Sequence, residues 1–234
     1  MMHKEETIKK NLEEKEENAE KNQVAPWEPK TKLGQEVKDG KIKSIDEILE
    51  MQKKILEVEI IDSLMNVKSE LILIGQSKGK FGGGKRRAWR QTQRKTAEGN
   101  VHSFSCMVVI GDDNSHVGIG MGKAKETLPA KEKAIRDAKL NIISVKRGCG
   151  SFDCSCSDLH SIPFQVEGKT GSSIMKLKPA PKGTGLVIDA ECKKIMKAAG
   201  IKDIYSRSFG QTRTKINLAK ASFEALKKIK GVKR

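Results

Sequence analysis

Three cysteines and a histidine lie within twelve residues of RGCGSFDCSCSDLHSIPF: Cys149, Cys154, Cys156 and His160. They are soft ligands in the number a tetrahedral zinc site requires, and the glycine and serine spacers permit tight turns between them. The spacing, CxxxxCxC then xxxH, is not one of the common zinc-finger spacings. Two readings stand side by side: one structural zinc ion, or three incidental buried thiols beside a hydrogen-bonded histidine. Cys106 falls in an apolar run and Cys192 in a helical one, and both read as core residues. A catalytic Cys–His pair would need a substrate pocket, and these basic, serine-rich surroundings reveal none.

The second segment able to do chemistry is 78–95, KGKFGGGKRRAWRQTQRK, with eight basic residues and no acidic one. Like charges this dense repel unless an anion sits among them. Gly82 to Gly84 let backbone N–H groups approach phosphates, guanidinium groups grip them bidentately, and Trp89 offers a stacking plane for an unpaired base. The RNA-binding candidates are therefore Lys78, Lys80, Lys85, Arg86, Arg87, Trp89, Arg90, Arg94 and Lys95. The bland alternative is a solvated hairpin loop. Gly79 to Lys85 also follow the phosphate-loop pattern, but Arg86 stands where a Ser or Thr must ligate Mg²⁺. A further charge run and a strand follow, where an NTPase needs a helix whose N-terminus faces the phosphates. Gly118, Gly120 and Gly122 form GxGxG, which close packing explains better than a dinucleotide does.

These segments need elements to hold them. Ser44, with Glu47 three residues on, reads as a capping box for a helix carrying Ile45, Ile48, Leu49 and Ile55, and Val58, Ile60, Ile61, Leu64 and Met65 continue an apolar face in a second helix or turn. SELILIG, FSCMVVIG and HVGIGMG have strand length, and a helix from about Lys125 to Asn141 follows. Helix, three antiparallel strands and helix make an α+β domain over 44–141. A second unit, 142–234, starts at IISVKRG, with SIPFQVEGK, SIMKLKPAP and IKDIYSRSFG as strands. DAECKKIMKAAG and TKINLAKASFEALKK read as its helices. Pro26 and Pro29 around Trp27 suggest an extended anchor over 25–43. Residues 1–24 hold seven Glu against five Lys and read as a charged extension, so the basic excess belongs to the rest of the chain.

Over 234 residues, 46 Lys and Arg outweigh 30 Asp and Glu, and a net charge of +16 implies a polyanionic partner. An acidic membrane is disfavoured, since there is no apolar run of about 18 residues and no basic helix with an aromatic face. The N-terminal stretch lacks the apolar core of a signal peptide, which points to the cytoplasm and to reduced cysteines.

RGCGSFDCSCSDLHSIPF, KPAPKGTGLV, AAGIKDIYSRSFGQTRTKIN and DDNSHVGIGMGKAKE occur in order and together resemble the small-subunit ribosomal protein number five family in its archaeal form. The resemblance covers about residues 26 to 228. It implies a domain like a double-stranded-RNA-binding domain, followed by an α/β domain with a left-handed βαβ crossover. It also implies a structural place in the small subunit, bound to its rRNA near the messenger entry and decoding region. The neighbours would be the third- and fourth-numbered small-subunit proteins, with messenger RNA at the entry channel. Arg147 and Arg213, within the matching motifs, join the RNA-binding candidates. No catalysis and no required cofactor are implied. By resemblance, the loop between the first two strands, here about Lys78 to Asn100, reaches into RNA. It is longer than the family's loop, and DDNS stands where a glycine usually closes the turn. The rival function is a free double-stranded RNA-binding protein or RNA chaperone outside the ribosome, with a phosphate-loop NTPase as a distant third.

Overall fold

Alternating glycines decide how the first sheet meets its helix. The computed structural model describes residues 27–77, 79, 84, 86–156 and 158–230. Strand β3 (Gly99–Gly111) pairs antiparallel with β4 (His116–Ala124), bringing Gly118, Gly120 and Gly122 opposite Ile110, Val108 and Cys106. Helix α4 (Thr127–Leu140) lies on that face with Ala130, Ala134 and Ala138 fully buried. A Cβ on any of the three glycines would run into the backbone of this helix. The GxGxG motif is a packing device, as the sequence suggests.

The opposite face of the same strands, Met107, Val109, Val117 and Ile119, is equally buried. It joins one apolar cluster with Met175 and Leu177 of the second sheet and Cys192, Ile195 and Met196 of α5 (Ala190–Ala198). Burial on both faces is why FSCMVVIG reads as a continuous apolar run rather than an alternating one. The second sheet has the order β6-β7-β9-β8: β6 (Val166–Thr170), β7 (Ser173–Pro179) and β9 (Ile204–Phe209) are antiparallel, and β8 (Leu186–Val187) is parallel to β9. The β8-α5-β9 unit is the crossover of an α+β fold. Helix α6 (Lys215–Lys230) approaches Gly168 of β6 through Ala221 and Ala225, repeating the small-residue contact of the first half. Glu191 ties α5 to the first sheet: its carboxylate accepts from Leu73 N at 2.7 Å and pairs with Lys194 at 3.1 Å.

Several sequence expectations need correction. The strand β5 (Ile142–Ser144), placed at the start of the second unit, pairs with β4 and completes the first sheet. Val145 N, bonding to Ser115 O, holds it there. Ser44 does not cap α2 (Ile45–Glu50); its hydroxyl donates to Glu47 Oε1 at 2.8 Å instead of accepting from the helix backbone. That helix ends at Glu50, so Ile55 lies beyond it, whereas the second helix expected over 58–65 is present as α3 (Glu59–Leu64). The chain forms two compact units, Met1–Lys41 and Ile42–Arg234. Within the first, the anchor expected to be extended contains α1 (Lys32–Lys38). Thr31 caps it by accepting from Gly34 N at 3.0 Å, and Leu33 and Val37, one helical turn apart, are buried. The proposed tail, 1–24, lies outside the described residues.

The turn expected at GDDN is closed by charge rather than glycine. Asp112 Oδ1 accepts from the backbone N–H groups of Asn114, Ser115 and His116, and Asp113 takes a positive φ of 60°. His116 is buried, with Nδ1 2.8 Å from Asp112 Oδ2 and Nε2 3.0 Å from Asp46 Oδ1 of α2. Burial works against its charge, but the hydrogen bonds to Asp112 and Asp46 prevail and raise its pKa above the ordinary value. Asp112 is desolvated too, yet its hydrogen bonds to His116 and the turn backbone hold its pKa well below the carboxylate range. The pH consequence follows from the sign of the His116 shift. A raised folded-state pKa stabilises the fold fully below the unfolded value of about 6.5, and this contribution is lost as pH rises through the folded value. Asp112 titrates far below that window. Thermal melts from pH 6 to 9 should show the wild type losing more stability than a His116→Gln variant; parallel curves would refute the link.

Candidate nucleic-acid interface and metal-binding knuckle

The basic segment does not form one loop. Strand β1 (Lys68–Ile72) pairs with the far half of β3, and β2 (Arg90–Thr96) with its near half, so one long strand carries two short ones end to end. Between them the chain is pinned by an antiparallel bridge of Ser77 to Arg86 and by Gly75 N–H bonding to Arg87 O at 2.8 Å. Gly75 has room only for hydrogen: a Cβ would meet the carbonyls of Trp89 and Arg87. Beyond the base, β2 and the start of β3 form a two-stranded ribbon closed by the Thr96–Gly99 turn. The loop expected over Lys78 to Asn100 is thus largely a strand pair from residue 90 onward. RQTQRKT is polar on both faces, so no alternation marks it as a strand.

Every residue of β2 is exposed. Register puts Arg90, Thr92 and Arg94 on one face with Ser103 and Ser105, and Gln91, Gln93 and Lys95 on the other with His102 and Phe104. Cross-strand polar pairs hold the ribbon: Thr92 Oγ1 to Ser103 Oγ at 2.8 Å and Gln91 Nε2 to His102 Nδ1 at 2.9 Å. An isolated two-stranded ribbon without an apolar face is marginal in water.

At the ribbon base, Arg86, Arg87, Trp89 and Arg90 line a cleft with Arg213 and Lys215 at the start of α6. Arg86 Nη2 donates to Arg213 O at 3.3 Å across 127 positions of chain. The fold therefore brings Arg213 to the hairpin candidates. It adds Lys215, which sequence reasoning missed and which pairs with Asp189. Arg147 stands apart, donating from Nη1 to Gly200 O at 3.3 Å. Lys78, Lys80 and Lys85 lie outside the described residues, as does most of the phosphate-loop pattern, and the element after it is β2, not a helix.

The cysteine segment folds into a knuckle. Gly148 and Ser161 exchange backbone hydrogen bonds at 2.9 Å in both directions, and Gly150 N bonds to Ile162 O at 3.2 Å, so the two ends run side by side. A Cβ on Gly150 would strike the Pro163 backbone. The ligand atoms of Cys149, Cys154, Cys156 and His160 all lie within 4.8 Å of one another. Tetrahedral zinc with bonds of about 2.3 Å to sulfur spaces its ligands about 3.7 Å apart, so the four groups can hold one metal ion. The thiols are half-buried rather than buried. The sulfurs of Cys154 and Cys156 lie 2.9 Å apart, and the hydrogen bond between them lowers the pKa of Cys154 and raises that of Cys156.

His160 is buried, with Nε2 3.8 Å from Cys154 Sγ. Its Nδ1 lies 2.8 Å from Asp203 Oδ2 but out of line for a hydrogen bond, and among the described residues it is the buried side-chain polar atom left unpaired. Asp203 is itself fixed, accepting from Gly185 N at 2.7 Å. A carboxylate beside one ring nitrogen, with the other nitrogen facing the thiols, suits a histidine that would ligate a metal through Nε2. Asp203 was not foreseen, since it is 43 positions from His160 in the chain. Cys106 and Cys192 are core residues as expected, and burial pushes the Cys192 thiol up to about 12.

The ribosomal protein S5 N-terminal domain matches residues 88–146, which span β2 to β5, and the S5 C-terminal domain matches residues 168–234. The chain belongs to the ribosomal protein S5 family. The small ribosomal subunit protein uS5 of Nanoarchaeum equitans is 51% identical over 211 residues, covering 90% of each chain. That of Thermofilum pendens is 49% identical, covering 86% of this chain and 93% of its own. That of Methanocaldococcus jannaschii is 46% identical, covering 88% of each. These relatives are archaeal, as the motif resemblance implies, and both halves of the α+β fold fall under S5 domains. Among the described residues, no helix is long and apolar enough to cross a membrane.

Proposed function

We propose that the chain is a structural constituent of the small ribosomal subunit in the cytoplasm, binding small-subunit rRNA and performing no catalysis. The observation that carries this is the exposed, polar-faced ribbon rising from a cleft whose charged lining is basic. Such a ribbon gains little from the protein itself, and a polyanion supplies what it lacks. Arg86, Arg87, Arg90, Arg94, Lys95 and Arg213 bind phosphates, and the half-buried Trp89 stacks at the cleft wall. Lys78, Lys80 and Lys85 belong to the same basic run. Arg147, engaged with Gly200, makes a peripheral contact. The two halves, joined near residue 145, sit between RNA and the third- and fourth-numbered small-subunit proteins, with messenger RNA passing the hairpin side at the entry channel. The name borne by the relatives supports the place in the small subunit, and the family resemblance supports these neighbours. The knuckle holds one structural zinc ion as Cys₃His, with no open coordination position.

Sedimentation of a lysate tests the assembly: near one copy should travel with each small subunit, whereas a free RNA chaperone would remain at the top of the gradient. Binding to a small-subunit RNA transcript tests the cleft. Each released phosphate contact lowers the salt slope by about 0.7 to 0.9, so Arg86→Ala with Arg87→Ala should flatten it by about 1.4 to 1.8. Unchanged slope and affinity would remove the cleft from the interface.

A further inference from the structure

We propose that the outward face of the second sheet is a platform for single-stranded RNA, with Tyr205 and Phe209 stacking on its bases; this rests on the RNA-binding reading above. Register separates the two faces of that sheet. Ile204, Met175, Leu177 and Val166 point into the core. Tyr205, Arg207 and Phe209 of β9 lie on the other face, beside Lys178, Lys176 and Ile174 of β7 and Lys169 of β6. Two aromatic rings are left in solvent there, Tyr205 at 41% and Phe209 at 37% exposure.

Around them the charge is predominantly positive. Lys169, Lys176, Lys178 and Arg207 share the face with a single acid, Glu167, which pairs with Lys176 at 3.0 Å. Arg207 and Lys176 sit 5.1 and 5.4 Å from the Phe209 ring centroid, so this aromatic is already a cation-binding surface. An occupant must be anionic and must also offer flat faces to the rings. Single-stranded RNA does both, whereas a duplex presents its phosphates and keeps its bases stacked away. Tyr205 and Phe209 are four residues apart on one strand, about 13 Å, with Arg207 between them to meet the backbone. The platform is also close in the chain to the hairpin cleft: β9 ends at Phe209, and the turn after it reaches Arg213, whose carbonyl accepts from Arg86.

The test uses the full chain and a twelve-nucleotide oligouridine, read by ultraviolet crosslinking with peptide mapping and by fluorescence anisotropy. Crosslinks on Tyr205, the only tyrosine of the chain, and on Phe209 are expected. Tyr205→Ala with Phe209→Ala should weaken binding about tenfold to a hundredfold at unchanged salt slope, since stacking and not phosphate contact is lost. Tyr205→Phe should bind as the wild type, and equal melting temperatures would exclude misfolding. Crosslinks confined to 86–105 with unchanged affinity overturn the platform and leave the RNA reading standing. Failure to bind either oligouridine or small-subunit RNA removes that reading too. Unchanged oligouridine affinity with lost incorporation into the small subunit assigns the face to a protein neighbour and also overturns the platform.

Discussion

Stripping zinc from the chain with a strong chelator is expected to unfold residues 149–160 while leaving both sheets in place. The segment is rich in Gly, Ser and Asp and contributes His160, but none of its three cysteines, to the buried set. On the Cys₃His zinc reading its order comes from the ion, and binding to sites of this kind is worth on the order of 10 kcal/mol at neutral pH. That offsets a large part of the conformational entropy of a short loop already closed at its base by the Gly148–Ser161 pair. Elemental analysis should find close to one zinc per chain in protein purified without chelator, and almost none in a Cys154→Ser, Cys156→Ser double variant. Asp203→Ala should keep the ligands but weaken the metal about 10- to 100-fold, because the ring loses its orienting carboxylate. Amide exchange across 150–159 should become fast on chelation. A zinc content near zero in the unmutated protein would end the assignment.

Replacing Gly120 by alanine is expected to cost about 3 kcal/mol or more, the upper end for overpacking. The added methyl would overlap the backbone at Ala138 and Ala134, and no rotamer change can move backbone aside. Helix α4 would have to lift from β4, opening gaps around Ala130, Ala134 and Ala138, which are fully buried. Against a total stability of about 5 to 15 kcal/mol, this is a large fraction. For a chain of this size it corresponds to a fall in Tm of roughly 6 to 12 °C. A calorimetric melt within two degrees of the wild type would show that the sheet and helix are not in close contact there.

The metal ligands and the basic run were readable because their chemistry is local: soft ligands within twelve residues, and eight cations within eighteen. What completes each site is not local. Asp203 reaches His160 from the far side of the β8-α5-β9 crossover, and Arg213 reaches Arg86 across 127 positions. The ribbon escaped notice as a strand because a pair of strands exposed on both faces needs no apolar period, and period is the signal by which strands are found. The charged platform was hidden differently. In IYSRSF the outward residues alternate correctly, but which face would meet the core and which the solvent depends on where α6 packs.

By itself the sequence determined the α+β class, the family, the sign of the partner's charge, the GxGxG packing motif and the cluster of four candidate metal ligands, since each depends on residue type at short spacing. The tertiary structure alone decided that both sheets share one apolar cluster, that β5 belongs to the first sheet, and that cleft, knuckle and platform acquire their distant members. Burial on two faces and contacts across more than forty residues are properties of the packed chain. No window of sequence contains them, because the free energy that selects them is released only when separate elements exclude water from between them.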